Sequence, residues 1–155
     1  MSIIVLSTEI KAPIEVCFDL SRSIDFHLKS AEQTEEKAID GVTSGLIGPH
    51  ETVTFQAKHF GFVFELSGQI TAYDRPYHFR DSMIRGPFKR LVHDHIFEHK
   101  DGITSMIDRF DFESPLGALG DLLDRMLMRE HLSKFLRKRN QYLKEIAETN
   151  PSAFL

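Results

Sequence analysis

Cysteine is nearly absent from this chain of 155 residues, tryptophan is missing, and no apolar run is long. The single Cys17 excludes an intrachain disulfide and any multi-cysteine metal site. It sits among Val16, Phe18 and Leu20, which marks a buried thiol rather than a nucleophile. Without tryptophan, aromatic packing falls mainly to the 13 phenylalanines. No stretch approaches the roughly 18 apolar residues of a membrane span, so no stable membrane insertion is expected. The N-terminus shows no basic segment followed by a long apolar core, so no secretory signal is expected and a cytoplasmic protein is the default. Positive charge is not in excess: the formal net charge of −4 argues against a dedicated nucleic-acid binder. Repeats, low-complexity segments and linkers are also missing. The chain reads as one domain over residues 1–150 with a short tail at 151–155, and nothing in it sets an oligomeric state.

What is present is a change of hydrophobic period. Residues 2–11 alternate as a strand with Ile4, Leu6, Thr8 and Ile10 on one face. Pro13 suits the first turn of a short helix that buries Ile14, Cys17, Phe18 and Ser21, and Ser23 can cap a second, running to about Glu32. Strand patterns then cover 34–39, 51–60, 62–72, 77–85, 89–100 and 103–113, with glycine-rich or Pro-containing breaks between them. Ser114-Pro115 reads as the cap and first residue of one long helix, from about Pro115 to Glu148, whose apolar stripe includes Leu116, Leu119, Leu123, Met126, Leu127, Leu132, Phe135, Leu136, Leu143 and Ile146. One large helix has to cover seven strands. A curved antiparallel sheet wrapped around that helix is the natural solution, and it leaves space between the two layers.

The concave sheet face carries ionisable groups where apolar ones are expected. Asp101-Gly102 is a two-residue hairpin signal. If it is the turn, His95 faces Asp108, Phe97 faces Met106 and His93 faces Phe110. Asp81, on the preceding strand with Phe79 and Met83, comes near His93 if the Gly86-Pro87 connection contains an odd number of residues, and His59 is an outlier. A His–Asp pair among aromatics either pins the sheet from inside or lines a cavity, because an unpaired polar group there costs roughly 1–3 kcal/mol. Pairing is expected between His95 and Asp108. The direction of the His95 pKa is left open, since burial and the carboxylate act in opposite senses.

This order resembles the helix-grip fold of the START and birch-pollen-allergen (SRPBCC) superfamily, over essentially the whole chain. The local marks are Glu9–Leu20 (EIKAPIEVCFDL), His59–Phe62 (HFGF), Arg85–Phe88 (RGPF), His93–Glu98 (HDHIFE) and Asp108–Asp124 (DRFDFESPLGALGDLLD). They are similar to an uncharacterised bacterial ligand-binding branch, with polyketide cyclases and dehydratases as more distant relatives. The resemblance implies an α+β fold: a seven-stranded curved antiparallel sheet around a long C-terminal helix, with two short helices after the first strand. It also implies a deep apolar cavity for lipids, polyketides or other hydrophobic molecules. It implies no reaction and carries over no catalytic residue.

The expected partner is therefore a small hydrophobic ligand, and no cofactor is expected. The lining expected from the faces is Phe55, His59, Phe64, Phe79, Asp81, Met83, His93, His95, Phe97, Met106, Asp108 and Phe110 from the sheet, with Leu119, Leu123 and Met126 from the helix. The polar members serve as an internal ladder, as ligand-orienting groups, or as an acid–base centre using His95 or His93 with Asp108 or Asp81, as a cyclase or dehydratase requires. A zinc site at His93-x-His95 competes for the same residues, but alternation alone produces such a pair, and no metal is assigned. The basic run Arg125, Arg129, Lys134, Arg137, Lys138, Arg139 and Lys144 reads as a solvated helix face. A ligand-free interaction module is the third reading, and cavity volume separates it from the others.

Overall fold

The computed structural model describes residues 1–155. Its elements are β1 (Ser2–Ile10), α1 (Ile14–Ser21), α2 (Ile24–Ser30), β2 (Lys37–Gly41), β3 (Thr52–His59), β4 (Phe62–Asp74), β5 (His78–Arg85), β6 (Arg90–Lys100) and β7 (Ile103–Glu113), then the C-terminal helix. That helix comprises α3 (Gly117–Leu123), a π-helical stretch (Asp124–Met128) and α4 (Arg129–Thr149). The seven strands form one antiparallel sheet in the order β1-β7-β6-β5-β4-β3-β2. Each neighbour pair from β2 to β7 is sequential, and β1 closes the set by pairing with β7.

Local chemistry explains the punctuation. Asp101 and Gly102 both take positive φ, 53° and 78°, as a two-residue hairpin turn demands. That turn fixes the β6–β7 register, placing His95 opposite Asp108, Phe97 opposite Met106 and His93 opposite Phe110. Ser23 caps α2 by accepting a hydrogen bond from the Phe26 N–H at 3.2 Å. The strand expected at 34–39 begins only at Lys37, because Glu32–Thr34 forms a 3-10 turn that uses the Thr34 hydroxyl and N–H on Ala31 O. The last residues form a short 3-10 helix (Pro151–Phe154), with Phe154 edge-on to Phe26 at 5.6 Å.

The C-terminal helix departs from the expected uniform stripe. Ser114 is not its N-cap. Its N–H donates to Asp124 Oδ2 at 2.9 Å and its hydroxyl to Asp124 Oδ1, so the helix starts at Gly117. Asp124 is therefore fully buried. The π-helical stretch it opens has more residues per turn than the α-helix, so positions before it fall out of phase with those after. Replacing Asp124 with alanine strands the buried Ser114 N–H and is expected to cost about 1–3 kcal/mol in urea unfolding. A loss of a few tenths would show that this tie does not hold the helix start.

Two apolar clusters result. The larger includes Ile10, Phe18, Leu20, Phe26, Phe79, Phe97, Met106 and Leu143, and joins α1 and α2 to the sheet and α4. The smaller joins Ile4, Leu6, Leu91, Phe110 and Phe112 to Leu136 of α4. Between and beside them the sheet and helix stay apart.

Candidate functional site

The gap is a cavity of about 390 Å³. Of its 33 lining residues 19 are hydrophobic, so an occupant must be mostly apolar. Phe55, Phe64, Phe79 and Phe110 come from the sheet, Phe88 from the β5–β6 connection, and Leu132, Phe135 and Leu136 from α4. The mouth lies where the β3–β4 hairpin faces the start of the C-terminal helix, because the lining residues Phe60, Leu116 and Leu123 are exposed there. His59 stands at that mouth, hydrogen-bonded through Nδ1 to His131 Nε2 at 2.8 Å, and is not part of the inner cluster.

Of the residues expected to line the space, Phe55, His59, Phe64, Phe79, Asp81, His93, His95, Phe110 and Leu123 do so. Phe97 and Met106 do not: they are packed under α1, at 1% and 0% exposure. Met83 packs at the edge of the smaller cluster instead. Leu119 and Met126 are 66% and 71% exposed, turned outward in or before the π-helical stretch. Asp108 is fully buried behind the histidines rather than on the cavity wall.

The polar end of the cavity is one connected network. His93 Nε2 lies 2.7 Å from Asp108 Oδ1, and His95 Nε2 lies 2.8 Å from Asp81 Oδ2. The residue pairing across strands is as the turn dictates, but the strongest contacts run diagonally. His95 Nδ1 stands 3.5 Å from Asp108 Oδ1 without a hydrogen bond and is a buried polar atom with no partner. The two imidazoles are tilted against each other at 3.7 Å, and His95 stacks on Phe79 at 4.1 Å. Behind them Asn140 Nδ2 donates to Asp108 Oδ2 at 2.6 Å. Arg139 Nη1 lies 3.9 Å from Asp108, and its Nη2 donates to the Ser21 carbonyl at 3.1 Å.

Arg139 corrects the reading of the basic run. It is 3% exposed and reaches the cavity wall. The available signal was its position: residues 132, 135, 136, 139 and 143 form one helical stripe, so Arg139 interrupts the buried face. Asn140 carried the same signal, four residues after Leu136 and three before Leu143, whereas Glu36, which holds His27 at 2.6 Å elsewhere on the cavity wall, carried none.

Electrostatics follow from burial. Burial and the adjacent His93 push His95 down to about 4, against the pull of Asp81 and Asp108, so it is neutral near pH 7. Burial alone would raise the Asp108 carboxyl. The His93 hydrogen bond, with the nearby Arg139 guanidinium and the two imidazoles, outweighs that and holds it far below the usual range. Asp81 is also held low, because the His95 hydrogen bond and the nearby His93 and Arg139 overcome burial. Its side chain is 35% exposed, and it lies on the cavity wall.

The fold superposes closely on solved structures of very different sequence. TTHA0849 from Thermus thermophilus matches with a TM-score of 0.71 at 16% identity, covering 92% of this chain and 97% of that one. The Zhui aromatase/cyclase from Streptomyces sp. R1128 matches at 0.69 and 9% identity, covering 96% of each chain. Ginseng major latex-like protein 151 from Panax ginseng matches at 0.66 and 14%, over 94% and 97%. The chain has the helix-grip fold. No family model matches the sequence and no curated protein does, so the likeness is one of fold alone. No helix is long and apolar enough to cross a membrane.

Proposed function

We propose that the chain binds a small, mostly apolar molecule bearing one polar, oxygen-containing group, with the apolar body in the cavity and the polar group at the Asp81–His93–His95–Arg139 end. The observation that carries this is the convergence of those four side chains on one end of a mostly apolar cavity of about 390 Å³. That volume is within the ordinary range for small-molecule sites. Phenylalanines on both sheet and helix walls favour an aromatic or polyketide-like body, through edge and offset contacts, over a simple acyl chain. A cavity of this size also supports a ligand-binding role over a ligand-free interaction module.

The test is native mass spectrometry of the purified chain for a copurifying molecule, followed by displacement of a lipophilic dye with hydrophobic competitors. Gly68 offers a control. It lines the cavity, and a Cβ there would meet only Ser82 O, at 3.8 Å. Gly68→Leu is expected to fill the space and weaken dye binding by at least about tenfold, since affinity changes tenfold per 1.4 kcal/mol, while the fold persists. Unchanged binding in a folded Gly68→Leu protein would place the dye elsewhere and remove the proposal.

A second reading has one specific observation behind it. His93 uses Nε2 on Asp108, while its Nδ1 makes no hydrogen bond and the side chain lies on the cavity wall. A carboxylate-oriented imidazole with a free nitrogen beside a ligand is a general base, as a cyclase or dehydratase needs, and one fold neighbour is an aromatase/cyclase. Turnover lost with ligand affinity kept, on His93→Gln or His95→Gln, would favour this reading over simple binding.

A further inference from the structure

The donor set at the end of the cavity is more complete than hydrogen bonding requires. One donor atom each from Asp81, His93 and His95 lies within 4.8 Å of the other two. Asp81 Oδ2 is 2.8 Å from His95 Nε2 and 3.9 Å from His93 Nδ1. Donors around a tetrahedral zinc ion, with bonds of about 2.0–2.1 Å, stand about 3.3 Å apart, between those two separations. His93 and His95 project from one strand and Asp81 from its neighbour, so small side-chain rotations suffice.

Protonation is arranged for the same use. His93 donates Nε2–H to Asp108, and its Nδ1, which makes no hydrogen bond and lies 3.9 Å from Asp81 Oδ2, carries the lone pair of a neutral ring. His95 donates Nε2–H to Asp81, which leaves a buried Nδ1 with no partner. An ion replacing the proton between His95 and Asp81 moves that proton to Nδ1 of the same ring. There it can donate to Asp108 Oδ1, 3.5 Å away, so no proton is gained or lost and the orphaned atom acquires a partner. Asp108 then receives an N–H from both imidazoles, the carboxylate arrangement that orients metal-bound histidines. Asn140 and Arg139 hold that carboxylate from behind.

We propose that Asp81, His93 and His95 form a site for one divalent transition-metal ion of the zinc type, with Asp108 as the outer carboxylate and an open coordination position facing the apolar cavity. Two imidazoles and one carboxylate favour zinc, cobalt or iron over magnesium or calcium, which prefer oxygen donors throughout. The site rests on these side chains alone. It does not depend on the hydrophobic-ligand reading, and its failure would leave that reading intact.

The test uses the full chain, stripped with a chelator, and titrated with Zn²⁺ by calorimetry and with Co²⁺ by visible absorption. The expected result is one equivalent per chain, with the absorption bands of a four- or five-coordinate cobalt site. Asp81→Asn and His93→Gln should each weaken binding by at least tenfold. Asp108→Asn should weaken it about 10–100-fold and keep the stoichiometry, as loss of an outer carboxylate does. The double change His59→Gln with His131→Gln, at the cavity mouth, should leave it unchanged. Asp81→Asn decides the matter if a buried variant fails to fold, because Asp81 is 35% exposed and its amide keeps the same shape. Absence of stoichiometric binding would overturn the proposal, as would binding unaffected by Asp81→Asn or abolished by the His59/His131 change.

Discussion

Replacing Asp108 with alanine is expected to destabilise the fold by about 3–5 kcal/mol, the largest effect of any single site substitution here. The carboxylate is 0% exposed and accepts from His93 and Asn140 while facing the Arg139 guanidinium. Alanine leaves two buried donors without an acceptor and one buried cation without its nearest counter-charge. Breaking a buried pair is costly for that reason, even where the pair itself adds little over an apolar core. For a chain of this size, with 155 residues, the melting temperature should drop by on the order of 10 °C. Removing the cation as well, in Asp108→Leu with Arg139→Met, should recover a large part of the loss. Urea unfolding of the single and double variants checks both. An Asp108→Ala protein within about 1 kcal/mol of the parent would mean that water or relaxation satisfies the stranded groups.

Acid should weaken the metal-free protein by about 3 kcal/mol between pH 6.5 and 4 through His95 alone. The folded-state pKa is about 4, against 6.5 for a free imidazole. Between those values the unfolded chain binds a proton that the folded chain does not, so stability falls as pH falls. The difference of about 2.5 pKa units, at about 1.4 kcal/mol each, sets the size. Asp108 adds a second loss at lower pH. Its depressed pKa gives stability that is present above the unfolded carboxylate value, near 3.9, and lost as pH falls towards the folded one. Urea midpoints at pH 7, 5.5 and 4.5, with a chelator present, should fall in step, and His95→Gln should flatten the first part of the decline. An NMR titration of the ring gives an independent check. A His95 that takes up its proton near pH 6.5 would contradict the burial argument.

The sheet was readable because most strands alternate with a period of two, although charged β2 lacks an apolar face and the β2–β3 and β4–β5 pairs shift register. Asp101-Gly102 could be recognised as a two-residue turn, and from that turn alone the pairing of His95 with Asp108 across β6 and β7 follows. The hydrogen bonds within the site did not follow. Register places Cα atoms opposite one another. Rotamers then sent His93 to Asp108 and His95 to Asp81, and no local pattern encodes that choice. The helix was legible as a helix but not in phase. Ser114 has the chemistry of a cap, yet the buried Asp124 takes both its N–H and its hydroxyl, and a π-helical stretch begins at that aspartate. Leu119 and Met126 therefore face solvent, and Arg139 of the basic run faces the cavity.

By itself, then, the sequence determined the order of elements, the antiparallel pairing and the presence of ionisable groups on a concave apolar face. These depend on neighbours two to four residues apart, and side-chain alternation and turn chemistry act at that range. Tertiary structure alone decided which residues bound open space and which fill the core. Phe97 and Met106 share a sheet face with His95, yet α1 covers them and leaves His95 on the cavity wall. It also decided that Arg139 and Asn140, more than 30 residues from Asp108 in sequence, complete the network around it. Such contacts form only when α4 lies across the sheet, because a buried charge finds its partner by packing in three dimensions and not by spacing along the chain.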